Sequence, residues 1–233
     1  MVRGSGHRFL VPAPGPAAAV SWDRALFLNL TFWNGKEAAD VLCDEHIPAD
    51  VIAHVAWHHV VAREVARAAD HASAGGAAML FGESIASAFD LYLIGRLLPV
   101  APESDFVTTQ VPMIGEAAEI AGLSGSGFTT LMEEVVDQPE RAFEDLRALL
   151  LDASLALLPC QGAAEALGVL EGFAGHRFEP LLHHFQLSNW ILYARAYAVS
   201  PSGSDQVVRD LDTTLRQSGD SLDWLAGHWL GRT

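Results

Sequence analysis

The stretch from Ala77 to Leu98 is apolar on nearly every side of any helix drawn through it, and yet it contains two acids. Glu83 and Asp90 are its only carboxylates, and Ser87 lies between them. At about 3.6 residues per turn, all three positions share one stripe of a helix. An unpaired carboxylate in a core costs several kcal/mol, or its pKa shifts until it is neutral. We therefore expect a buried helix whose two acids have partners.

The remaining composition favours helices around this stretch. Half of the residues are hydrophobic and 18% are charged, which is enough apolar material for a large core. Alanine and leucine are abundant, and β-branched residues rarely alternate with polar ones. The sequence predicts an all-α, single-domain bundle of about eight or nine helices around one fully apolar central helix.

Proline and glycine predict how the chain is divided. Prolines interrupt residues 1–20, which indicates a flexible N-terminal arm and not a secretory leader. Residues 21–199 are predicted to form the bundle core, and the SPSGSD string at 200–205 a linker. Residues 206–233 are predicted to form C-terminal helices that pack on the core or on a partner subunit.

The apolar periodicity and the helix start and stop signals also predict individual elements. Residues 101–112 are predicted to be an irregular connection, and residues 122–127 a hinge between helices. The predicted helices cover 22–33, 36–43, 48–69, 77–98, 113–121, 139–158, 161–173, 177–199, 205–217 and 220–230.

The charge of the chain excludes some partners. There are 29 acidic against 14 basic residues, a formal net charge of −15. Phosphate backbones and anionic lipids repel such a chain, so neither nucleic acid nor a membrane surface is expected as a partner. The apolar stretch is nearly long enough to cross a bilayer, but Glu83, Asp90 and Arg96 would each cost about 2.5–3.5 kcal/mol near its centre. We expect a core helix instead.

The two cysteines indicate a compartment. Cys43 and Cys160 lie far apart in apolar surroundings, without a CxxC spacing. Free buried thiols are typical of proteins in a reducing environment. The expected location is the cytoplasm.

A histidine-rich helix precedes the apolar one. His54 and His58 are four residues apart and share a helix face, where neutral imidazoles are good ligands for iron, zinc or copper. His59 is rotated about 100° from His58, so it could face the core or the solvent. Val55 stands where the H-E-x-x-H motif of zinc proteases requires glutamate, so that motif is absent.

A later segment offers one more ligand. Glu179 and His183 are four residues apart, and we select His183 as a ligand from a third helix. Helical bundles build metal centres from inward-facing carboxylates and histidines, although the Glu-x-x-His repeats of ferritin-like proteins are missing here. The sequence thus predicts a site for iron or another transition metal, with ligands His54, His58, Glu83, Asp90 and His183.

Two functions are compatible with this pattern. The first is a non-haem iron or di-metal oxidoreductase or oxygenase that acts on a small apolar molecule. The alternative is a non-catalytic helical binding or assembly protein, in which the acids pair with arginines such as Arg63, Arg67 or Arg96. Trp224 and Trp229 are expected to dock on the core or on a second copy, so a homodimer is possible in either case. The sequence identifies no catalytic residue and no c-type haem motif.

Overall fold

A computed structural model describes residues 9–10, 31–33, 38–41, 49–70, 76–182 and 205–231. Within these ranges the chain forms nine helices, which confirms the predicted all-α multi-helix bundle. The helices are α1 Ala49–Ala68, α2 Gly76–Leu97, α3 Asp105–Ile120, α4 Gly125–Asp137, α5 Pro139–Leu157, α6 Ala163–Glu171, α7 Glu179–Leu182, α8 Asp205–Gln217 and α9 Ser221–His228.

A small sheet precedes the bundle. Its strands are β1 Phe9–Leu10, β2 Thr31–Trp33 and β3 Ala38–Val41, and β3 lies in the middle, parallel to β1 and antiparallel to β2. The helices predicted at 22–33 and 36–43 are therefore wrong where they overlap β2 and β3. The physical reason is visible in the sequence, since a Thr-Phe-Trp run followed by Asn-Gly is typical of a strand that enters a hairpin.

The central helix is α2, which packs against α1, α3, α4, α5 and α8. Its apolar residues, including Phe81, Ile85, Leu91 and Ile94, are buried on all sides, as the uniform hydrophobicity of the stretch predicts. Among the described helices, α2 is the one long and apolar enough to cross a membrane, and 83% of its most apolar 18-residue window is buried within the fold. Such burial is expected of a core helix.

Two helices begin where the sequence predicted irregular chain. The α3 helix starts directly after Ser104, whose hydroxyl accepts a hydrogen bond from the Val107 amide at 3.4 Å, and it continues through Pro112. The α4 helix starts after Ser124, which accepts from the Gly127 amide at 3.1 Å. Both serines cap the exposed amides of a first turn, so the predicted connection at 101–112 and hinge at 122–127 are wrong in these parts.

The C-terminal helices pack on the bundle through both apolar and polar contacts. The Trp229 ring meets Phe81 of α2 edge to face, with ring centroids 6.4 Å apart. Arg147 of α5 is fully buried and donates to Asp212 of α8 at 2.7 Å and to Glu144 at 3.1 Å. These contacts bring residues 205–231 against the centre of the bundle.

Candidate metal centre

Two neighbouring helices bring four of the five predicted ligand residues together. His54 and His58 lie one turn apart on α1, and Glu83 and Asp90 lie two turns apart on α2. Each of the four is only 3–8% exposed. His183 lies outside the described residues, so its role as a ligand stays a prediction.

Three of these side chains form a compact group that could hold a metal ion. His54, His58 and Glu83 each offer one ligand atom, and these atoms lie within 4.8 Å of one another. His58 Nε2 is 3.0 Å from Glu83 Oε2, and His54 Nε2 is 3.5 Å from Glu83 Oε1. Ligands bound at 2.0–2.2 Å with tetrahedral or octahedral angles are about 2.8–3.6 Å apart, so both separations suit one ion.

One buried atom of this group has poor hydrogen bonding. His54 Nε2 forms no hydrogen bond of regular geometry with the residues that the structure describes, although Glu83 Oε1 lies 3.5 Å away. Buried polar atoms are nearly always satisfied, and leaving one unpaired costs about 1–3 kcal/mol. A metal ion bound by the three side chains would satisfy this nitrogen.

Asp90 lies beside this group and not within it. Its Oδ2 is 2.7 Å from Nδ1 of His54, the ring nitrogen opposite Nε2. In the structure Asp90 therefore contacts the Nδ1 side of the His54 ring, whereas the sequence predicted Asp90 as a direct metal ligand. Ser87 has a comparable position next to Glu83, since its hydroxyl donates to Glu83 Oε1 at 3.1 Å.

The electrostatics of the site follow from this arrangement. Burial favours the neutral form of His54, but the Asp90 and Glu83 carboxylates outweigh this effect and hold the pKa of His54 well above its usual value. Burial alone would raise the pKa of Glu83, but the imidazoles of His54 and His58 outweigh it and keep that pKa well below its usual range. Glu83 is therefore an ionised carboxylate, the form that binds metal.

The arginines that the alternative interpretation invoked have other partners. Arg63 and Arg67 both contact Glu64 at 2.7 Å, and Arg96 lies 3.7 Å from Glu140. The predicted pairing of these arginines with the acids of α2 is wrong, because arginine and acid lie on different faces of their helices. Histidines pair with Glu83 and Asp90 instead.

The sequence analysis did not predict the burial of every polar side chain on the helices. Glu64 is buried on α1, and its Arg neighbours one and three positions away were the available signal. His59, left undecided by the sequence, is buried on α1 but does not belong to the group of three ligands. Cys160 is a buried free thiol, as predicted, and burial raises its pKa. Cys43 lies outside the described residues.

No protein family model matches this sequence, and neither the curated proteins nor the solved structures provide a significant match. A helical bundle by itself supports many unrelated functions. Function must therefore follow from the chemistry of the site, which is a buried group of two histidines and one glutamate with the capacity to hold a metal ion.

Proposed function

We propose that the protein is a non-haem metalloprotein that binds iron through His54, His58 and Glu83 and catalyses oxidation of a small apolar molecule. The observation that carries the proposal is the convergence of these side chains at ligand–ligand separations of 3.0 and 3.5 Å. The buried Nε2 of His54, which has no regular hydrogen bond among the described residues, gives the proposal further support.

The donor set favours a transition metal. Imidazole nitrogen and carboxylate oxygen suit iron and zinc, whereas magnesium and calcium prefer oxygen alone. Two histidines and one carboxylate leave coordination positions open, and iron bound in this way supplies electrons for reaction with dioxygen. Two histidines and one glutamate also hold catalytic zinc, which favours hydrolysis. Whether the bound metal is iron or zinc therefore decides between oxidation and hydrolysis.

The protein residues would contribute binding and the exclusion of water. Glu83 supplies negative charge, His58 offers Nε2, and His54 becomes a neutral nitrogen donor once the ion displaces its Nε2 proton. The site residues are almost completely buried, and α2 is apolar on both sides of Glu83. A nonpolar substrate of small size fits such surroundings better than a charged one.

The first test is elemental analysis of protein purified without a chelator or histidine tag from cells grown with added iron and manganese. We expect about one equivalent of iron per chain, lost in Glu83→Gln and His58→Ala because each removes one of only three described ligands. Glu133→Gln is the matched control, since Glu133 is an exposed acid on α4. Circular dichroism verifies that each variant is folded.

Several outcomes would contradict the proposal. A folded wild type that takes up no metal on reconstitution would exclude a metal centre, as would a full metal content in Glu83→Gln. Zinc as the resident metal, even from cells grown with added iron, would support the site and contradict the oxidoreductase.

A second candidate is a non-catalytic binding or assembly protein in which the same residues form a structural ion-pair network. The observation in its favour is the position of His54 between Asp90 at 2.7 Å and Glu83 at 3.5 Å, with a raised pKa. In that case Glu83→Gln changes no metal content and only destabilises the fold, by about 3–5 kcal/mol as for a broken buried pair.

Under either function we propose that the protein is a cytoplasmic homodimer. Analytical ultracentrifugation tests whether the chain forms a dimer.

A further inference from the structure

We infer that Asp90 and Ser87 are positioning residues, which hold His54 and Glu83 in their metal-binding orientation before an ion arrives. This inference rests on the proposed metal-binding function and deepens it, because it explains how the site is preorganised. Asp90 contacts the ring nitrogen of His54 that lies opposite Nε2, and Ser87 contacts Oε1 of Glu83.

Asp90 orients the imidazole of His54. The hydrogen bond from His54 Nδ1 to Asp90 Oδ2 is 2.7 Å long, which is typical of a charge-assisted bond, and both partners are buried. It keeps a proton on Nδ1 and directs Nε2 towards Glu83. A carboxylate in this position also makes the imidazole a stronger metal ligand, and residues of this kind typically change metal affinity about 10–100-fold.

Ser87 orients the carboxylate of Glu83. It lies one turn further along α2, and its hydroxyl donates to Oε1 at 3.1 Å, which fixes the plane of the carboxylate. The other oxygen, Oε2, is then directed towards His58 Nε2 at 3.0 Å. Since Ser87 is only 2% exposed, water does not compete for this bond.

The chain provides a matched control for Ser87. Ser84 lies on the same helix and is completely buried, but its hydroxyl donates to the Phe81 carbonyl at 2.8 Å and not to the side chain of His54, His58 or Glu83. Replacement by alanine removes one buried hydroxyl in both cases. A difference between the two variants therefore reports on the metal site and not on burial in general.

The experiment is a cobalt(II) titration of the full chain, followed by visible absorption, for wild type, Asp90→Asn, Ser87→Ala and Ser84→Ala. We expect about 10–100-fold weaker cobalt binding in Asp90→Asn and Ser87→Ala. We also expect a changed cobalt spectrum, because a misdirected ligand alters the coordination geometry. Ser84→Ala should bind cobalt as the wild type does, with the same spectrum.

The outcomes separate this inference from the proposed function. If the wild type binds no cobalt and no other transition metal, the metal centre itself is excluded. If the wild type binds cobalt and the two variants match it in affinity and spectrum, only the positioning role is overturned, even when urea denaturation shows that they are less stable. Should Asp90→Asn fail to fold, Ser87→Ala decides the question, since it removes a single oxygen atom.

Discussion

At the scale of single residues, His176 is a histidine outside the candidate metal centre, and its hydrogen bond opposes protonation of the ring. Its Nδ1 accepts from the Phe178 amide at 3.2 Å, which a protonated ring cannot do. Partial burial lowers the pKa of His176, Asp145 opposes that shift, and Arg177 adds to it. The folded state therefore favours the neutral imidazole.

This preference predicts a dependence of stability on pH. Because the pKa of His176 is lower in the folded protein than its ordinary value of 6.5, the neutral ring stabilises the folded state fully above pH 6.5. This stabilisation is lost as the pH falls from 6.5 through the pKa of the folded state. We expect His176→Asn to lose less stability than the wild type between about pH 7.5 and pH 5, because the Asn oxygen can accept the same bond without titrating. Urea denaturation at both pH values measures the difference.

All other histidines are shared by the two proteins, so they cancel in this comparison. An identical loss of stability on acidification in both would contradict the assignment of the hydrogen bond.

Four of the five residues that the sequence predicted as ligands lie together in the structure, but their separate positions could not be predicted. Glu83 and Asp90 are conspicuous because acids conflict with an apolar helix, and the spacing of His54 and His58 places them on one face. The assignment of Asp90 to the far nitrogen of His54 depends on how α1 packs against α2. Sequence spacing within one helix contains no information about that packing.

At the scale of secondary-structure elements, α2 approaches its neighbours most closely at Gly95. A Cβ atom added there would lie 2.6 Å from the Val135 carbonyl oxygen and 2.9 Å from Pro139 Cβ. Real Cβ atoms do not come so close to a backbone oxygen. The junction of α4 and α5 can therefore pack this closely against α2 only because Gly95 has no side chain.

We predict that Gly95→Ala destabilises the protein by about 1–3 kcal/mol, the usual cost of overpacking, despite the higher helix propensity of alanine. Gly168→Ala is the control, because Gly168 lies within α6 and an added Cβ meets nothing within 4 Å. That variant should gain up to about 1 kcal/mol from propensity alone. Thermal and urea denaturation measure both changes, and a stabilised Gly95→Ala would contradict the close packing.

The sequence predicted the long helices well and the short elements poorly. The bounds of α1, α2, α5 and α8 agree with prediction to within one residue or so, because each has a clear apolar pattern and a defined start or stop. The starts of α3 and α4 each depend on one serine cap, Ser104 and Ser124. Nearby prolines and glycines made both segments look like loops in the sequence. The strands are too short for their alternation to stand out, and β1 pairs with a strand that lies far along the chain.

At the scale of the whole molecule, one buried arginine attaches the C-terminal helices to the bundle. Arg147 lies on the apolar face of α5 and joins Asp212 of α8, while its second partner, Glu144, accepts the amide of Ser221 at the start of α9 at 2.8 Å. Arg147 and its partner Glu144 thus link α5 to both α8 and α9.

We predict that Arg147→Met destabilises the fold by about 2–3 kcal/mol, because it leaves Glu144 without a cation and leaves Asp212 with Arg216 alone. Arg141→Met removes the same charge from the same helix, but Arg141 is 70% exposed and lies 3.7 Å from Asp145, so its loss should cost less than about 1 kcal/mol. Chemical denaturation compares the two. Equal effects would mean that the buried cluster contributes no more than a surface pair.

The hairpin formed by α1 and α2 has a consequence for how the protein is made. All four described site residues lie between positions 54 and 90, so the chain closes only a short loop to assemble them. We expect contacts of such low sequence separation to form early, and all four residues are synthesised before α5, which begins at position 139. Until α5 emerges from the ribosome, however, the apolar surface of α2 that packs against it is exposed. We expect aggregation, and the need for a chaperone, to be greatest during this stage of synthesis.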